Sequence, residues 1–200
     1  MTPEDTLPRR RTSIGAKRNP ATAHAVLTSA RQLLDEKGYM GFSIDEVCRR
    51  AGAGKPTIYR WWPTKAELFA ELYGLDKNTI VRIPDEGQLV LDLTVYTIDL
   101  WRFWRNNPAG QAFRGLVAEA QGNPTALELL RGKFLTERQE PIRTIFSRAA
   151  NRGEIEPGGL EERITLWMGL SWFRLLTDQL DEDKTAITRL MTFLACKIHL

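Results

Sequence analysis

Lys55, Thr57, Tyr59, Arg60 and Trp61 fall within the seven residues KPTIYRW. Two cations, a hydroxyl and two aromatic rings at that spacing suit contact with a nucleic acid. Arg and Lys donate to guanine O6 and N7, and Thr meets a thymine methyl or a phosphate. A Tyr hydroxyl more often holds a phosphate, which sets register without reading sequence. If the segment is a short helix, Ile58 faces inward, with Trp62 doing the same just past the helix end. Ser43 and Lys65 open the flanking helices, where free backbone N–H groups also favour phosphate.

Other chemistries find no support. Gly52-Ala53-Gly54-Lys55 hints at a phosphate loop, but G-x-x-x-x-G-K-[ST] fails at Arg49 and at Pro56, and no strand precedes it. The two histidines, His24 and His199, stand at opposite ends of the chain and cannot build a relay or a His-rich metal site. Cys48 falls on an apolar stripe as a core thiol, and with Cys196 it makes too small a set for a disulfide framework or a zinc site. Acidic pairs such as Glu161-Glu162 lie near helix ends, where capping and solvation explain them. No catalytic residue, metal ligand or cofactor is assigned.

The elements that must position KPTIYRW are helical. Asn19-Pro20 reads as an N-cap followed by a first-turn proline. Val26, Leu27, Ala30, Leu33 and Leu34 follow at the helical period, and Gly38 stops the helix. Ser43 with Glu46 reads as a capping box opening a second helix, with Ile44, Val47, Cys48 and Ala51 buried. Gly52-Ala53-Gly54 is a turn, then comes the short helix at 55–61, then a fourth carrying Leu68, Phe69, Leu72 and Tyr73. Two short helices across a Gly turn are the helix-turn-helix layout. That layout also occurs in helical domains that never touch DNA.

Charge bears on that choice. The chain of 200 residues carries only +3 overall, yet Arg9 to Lys65 holds twelve basic and four acidic residues, a local +8. The rest sums to −5. A basic reader attached to a mildly acidic second domain accounts for that split. A charge excess can also be just a solvated face.

Beyond a break at Pro84–Gly87 the helices lengthen, to about 87–105, 109–121, 125–151, 160–177 and 182–198. Pro141 should kink or break the third of these. Trp101, Trp104, Phe113, Phe134, Phe146 and Trp172 concentrate aromatics here, as a pocket for a flat apolar molecule would. Plain core packing is the ordinary alternative for each. Two apolar faces, Leu166, Trp167, Leu170, Phe173 and Leu176, then Ile187, Leu190, Met191, Leu194 and Ile198, exceed what one core consumes and suggest an interface. No apolar run of about 18 residues is free of charge, so no transmembrane helix is expected. Residues 1–19 lack the apolar core of a signal peptide and read as a mobile basic arm of a cytoplasmic protein.

Residues 38–73 resemble the signature of TetR/AcrR-type bacterial transcriptional regulators. Gly38-Tyr39, Ser43, Val47-Cys48, Ala51-Gly52, Ile58-Tyr59, Trp62 and Lys65 agree with that pattern in order and spacing. Gly54 stands where Ser is usual and Trp61 where His is common. The resemblance implies an all-α chain: a three-helix DNA-binding domain at 20–75 and a helical effector and dimerisation domain at 76–200. It implies that Ser43, Lys55, Thr57, Tyr59, Arg60, Trp61 and Lys65 contact operator DNA. It implies a homodimer joined by the last two helices, repression without ligand, and release by an unidentified small-molecule effector. A regulator without such an effector, controlled by a protein partner or constitutive, is the alternative.

Overall fold

The computed structural model describes residues 18–196. Most of the expected basic arm, the expected last helical residues 197–198 and with them Ile198 lie outside the described residues. The described chain is all helix, turn and loop: α1 (Pro20–Gly41), α2 (Ile44–Ala51), α3 (Lys55–Trp61), α4 (Lys65–Ile80), α5 (Leu89–Asn106), α6 (Pro108–Gly122), α7 (Pro124–Leu129), a π-helical turn (Leu130–Phe134), α8 (Leu135–Asn151), α9 (Leu160–Leu176) and α10 (Lys184–Ala195).

Local chemistry accounts for most of these boundaries. The Asn19 carboxamide accepts from the Ala21 and Thr22 amides, with Pro20 in the first turn. Asn107-Pro108 and Asn123-Pro124 repeat the device at the starts of α6 and α7. The caps satisfy amides that the first turn of a helix leaves open. Gly38, at φ 60°, turns the chain at the end of the regular part of α1. Ser43 caps α2 through the Glu46 amide at 3.3 Å, but Glu46 does not complete the box. Its carboxylate instead takes Arg49 and Arg50, which hold it down to about 2.

Pro141 does not break the long helix around it. α8 runs through it, and the irregularity falls earlier, where the Leu135 amide reaches the Leu130 carbonyl. The wide turn contains Gly132, whose low helix propensity removes resistance to the distortion. Pro141 itself is buried, so packing against neighbours compensates its missing hydrogen bond.

α1 lies along α6, which joins the first helices to the rest. Gly115 permits this approach: a Cβ there would lie 2.5 Å from the Tyr39 Cβ. α4 crosses residue 75 without interruption, so one helix serves both halves of the chain. Farther on, the Glu154 carboxylate accepts the Leu89 amide at 2.7 Å, tying the loop before α9 to the start of α5.

Candidate nucleic-acid interface

α2 and α3 meet across Gly52, which adopts φ 60° and ψ 28° and caps α2 on the Cys48 carbonyl. Ile58 is fully buried and pins α3 to the core. Truncating such a side chain to Ala costs about 2–5 kcal/mol. Trp62, also buried, donates its Nε1–H to Glu71 of α4 at 2.8 Å. Arg18 completes the group: it forks onto the Glu71 carboxylate at 2.8 and 3.1 Å and lies over the Trp62 ring. α3 is thereby held at its C-terminal end by α4 and by the residue entering α1. Arg50, forked onto Glu36, ties α2 to α1 in the same way.

The outward face of α3 presents Lys55, Tyr59 and Arg60, all exposed, with Thr57 half-buried. Among the described residues none bonds to Arg60. Lys55 and Tyr59 converge on Asp45 of α2, at 2.8 and 3.3 Å. Asp45 thus orders two α3 side chains and places a carboxylate beside the outward face of α3. Asp45→Asn should raise affinity for random duplex by roughly three- to tenfold at low salt, by removing repulsion and freeing Lys55. Fluorescence anisotropy on a labelled duplex checks this, and an unchanged or weaker affinity would remove Asp45 from the DNA face.

Two expected contacts are engaged elsewhere. Lys65 pairs with Glu119 of α6 at 3.1 Å and lies over the Tyr39 ring at 4.3 Å. Trp61 is half-buried, packs edge-on to Trp62 and lines a cleft between α4 and the α7–α8 region. Ser43 is exposed, with its hydroxyl on the Glu46 amide. Gly54 begins α3 with no side-chain cap, in open space that a Ser would fit.

An inner cavity of about 20 Å³ lies between α4, α5, α6, α8 and α9, beside that outer cleft of about 460 Å³. Trp104, Phe113, Phe134 and Trp172 line the inner cavity. Phe113 stacks between Trp104 and Phe134, with Trp172 edge-on to it. Trp101 and Phe146 do not reach it and are buried in the core. Sequence reasoning missed two cations here, Lys77 of α4 and Arg138 of α8. No local pattern signals them, because they meet only through packing.

Lys77 is 3% exposed, and burial, with repulsion from Arg138, pushes its ammonium down to about 8. A depression of that size is worth about 3 kcal/mol against folding while the group is charged. Lys77→Met should therefore stabilise the protein by about 2–3 kcal/mol at pH 7. Below pH 8 the penalty on wild type is complete. Between 8 and the ordinary 10.5 the unfolded chain holds the extra proton, so wild-type stability rises with pH and the gain shrinks. Urea melts of both proteins at pH 7 and pH 10 check this, and a destabilised variant at pH 7 would refute it.

The apolar faces of α9 and α10 divide. Trp167, Ile187 and Met191 are buried inside the protomer. Trp167 donates to the Thr97 hydroxyl of α5 at 2.9 Å, and that hydroxyl lies 3.6 Å from the Met191 sulfur. Those three residues build the junction of α5, α9 and α10 rather than its outer surface. Leu170, Leu190 and Leu194 are half-buried. Leu166, Phe173, Leu176 and Phe193 are the exposed ones, Phe193 at 76%. Phe193 was absent from the expected face, although it lies three residues past Leu190.

A short outward helix held by two supports, on a basic three-helix unit joined to a helical bundle, defines a helix-turn-helix DNA-binding protein. Residues 26–72 match the family described as bacterial regulatory proteins, tetR family, and 83–194 match the tetracyclin repressor-like C-terminal domain. The chain is 28% identical to the HTH-type transcriptional regulator YdeS of Bacillus subtilis, over 81% of this chain and 82% of that protein. It is 32% identical to the DNA-binding transcriptional repressor TetR of Mycobacteroides abscessus, over 68% and 72%. The crystal structure of the TetR family regulator SCO0332 superposes with a TM-score of 0.74 at 24% identity, covering 87% of this chain and 96% of that one. FadR from Bacillus subtilis, solved with stearoyl-CoA, superposes at 0.63 with 16% identity, over 88% and 99%. The chain belongs to the TetR family of bacterial transcriptional regulators; it is a DNA-binding regulator and not an enzyme.

Proposed function

We propose that this regulator binds a palindromic operator as a homodimer, represses transcription there, and is released by a small molecule bound in its second domain. The observation that carries operator reading is the outward face of α3, where Arg60 is exposed and, among the described residues, unpartnered beside Lys55 and Tyr59. Thr57 lies at its edge, and Ser43 caps the supporting helix. Trp61 and Lys65 are left to packing and to Glu119. DNA binding is assigned to 20–75 and effector binding and pairing to 76–200, with α4 shared. Among the described residues no helix is long and apolar enough to cross a membrane, and the protein is assigned to the cytoplasm with its DNA.

One α3 spans few base pairs. Two copies spaced about one duplex turn apart read a palindrome. Leu166, Phe173, Leu176 and Phe193 supply an apolar surface for the twofold contact. Repression follows the named repressor among its relatives. A ligand that prefers a conformer with altered α3 spacing lowers operator affinity.

Selection of bound sequences from random duplex tests this reading. The expected product is a twofold-symmetric site with half-sites about one turn apart, and asymmetric or absent enrichment would overturn it. The small volume of the cavity, about 20 Å³, favours the second reading, a regulator with no small-molecule effector. Thermal shift against a compound panel separates the two.

A further inference from the structure

Lys77 is buried and Arg138 half-buried, and each is more thinly partnered than enclosed cations ordinarily are. Lys77 meets only the Tyr96 ring, at 5.6 Å, and no carboxylate of the described residues lies within ion-pair reach of it. Arg138 rests against the rings of Tyr73 and Phe134 at 5.3 and 5.1 Å, with one long contact to the Ala70 carbonyl at 3.4 Å. Among the described residues its buried Nε has no hydrogen-bond partner, and the carboxylate in ion-pair range is that of the adjacent Glu137, at 3.8 Å. Rings hold cations weakly compared with a carboxylate. Both side chains line one cavity whose other walls are flat and apolar, Trp104, Phe113 and Trp172 among them.

Two like charges facing an apolar cavity repel each other until a negative charge enters between them. We propose that the effector is an anion: a flat aromatic acid whose acidic group sits between Lys77 and Arg138, its rings against Trp104, Phe113 and Trp172. This rests on the reading of the second domain as ligand-responsive. It adds the charge of the ligand and the groups that hold it. The cavity, at about 20 Å³, has room for no more than about one water in this conformation, so binding requires it to widen. Phe134 and Arg138 line both the cavity and the outer cleft and stand between the two. Phe134 ends the π-helical turn, and Gly74 lets the Arg138 guanidinium lie close against α4: a Cβ there would lie 2.6 Å from its Nη2. Lys77 lies on α4, which begins beside the DNA-reading helix, so an anion bridging α4 to α8 acts directly on the element that carries α3.

A matched pair of fluorescent probes tests the proposal. 8-Anilinonaphthalene-1-sulfonate and N-phenyl-1-naphthylamine share one aromatic body and differ by the sulfonate. Titrated at pH 7, the sulfonate should bind wild type at least about tenfold tighter. Lys77→Met and Arg138→Met should each erase that preference while leaving the neutral probe within about twofold. Lys77→Arg should keep the preference. Each Met variant replaces a buried or half-buried charge by an apolar chain, and a cooperative thermal melt verifies folding. Should one fail to fold, the other and Lys77→Arg still decide. Equal affinity for both probes overturns the anion and leaves a ligand-responsive regulator standing. A preference that survives both Met variants places the sulfonate elsewhere and also overturns it. No saturable binding of either probe overturns both readings.

Discussion

Arg60→Ala is expected to lower affinity for the selected operator by roughly 30- to 20,000-fold while leaving the fold and the dimer unchanged. A guanidinium that bonds base edges is worth about 1–3 kcal/mol of discrimination. A twofold dimer loses it twice, about 2–6 kcal/mol in all, and each 1.4 kcal/mol is tenfold. Nothing inside the protein opposes the substitution: Arg60 is exposed, and none of the described residues bonds to it. Ile58 and Trp62, the anchors of α3, stay in place. The loss should be concentrated on the operator, with random duplex falling only as far as one lost phosphate-range charge requires. Anisotropy titrations on operator and random duplex at one salt concentration, with circular dichroism and sedimentation, check the result. Operator affinity within about threefold of wild type would take Arg60 out of the reading set.

Phe193→Asp should yield a monomer at micromolar concentration and reduce operator affinity by at least about 100-fold. Phe193 is 76% exposed in the protomer, so Asp there meets water and should shift the stability of the isolated chain by no more than about 0.5 kcal/mol. In a twofold interface the same Asp enters an apolar contact built from Leu166, Phe173, Leu176 and their copies. Burying an unpaired carboxylate costs several kcal/mol and occurs once on each side. A monomer then reads a half-site alone and loses the benefit of linked binding, commonly a factor of 10²–10⁴. Analytical ultracentrifugation and operator titration check it. A dimer that persists in this variant would move the interface off the α9–α10 face.

The helix-turn-helix unit was legible residue by residue, because its determinants are local. Asn19-Pro20, Ser43, Gly52 and Pro56 act within one or two turns, and α3 spans the expected residues 55–61. Ile58 and Trp62 point inward as the short helix requires. The box at Ser43 and the break at Pro141 were expected from equally local rules and came out differently. Glu46 found two arginines nearer than the Ser43 amide, and packing around Pro141 outweighed its missing N–H.

Sequence alone determined that the chain is helical, that its net positive charge gathers in the first third, and that KPTIYRW stands on a Gly turn. Each of these follows from caps, from a period of 3.6 or from a sum over charges, none of which needs a distant partner. Only the tertiary structure decided which apolar residues are core and which are surface. A helical period shows that a face is apolar but not what covers it, so Trp167 and Met191 were indistinguishable from Phe173 until Thr97 of α5 was beside them. The charges divide on the same ground. Lys65 is committed to Glu119, Arg60 to none of the described residues, and Lys77 to a cavity shared with Arg138. A charge acts through what lies within a few ångströms of it, and for these residues that neighbourhood is assembled from elements distant in the chain.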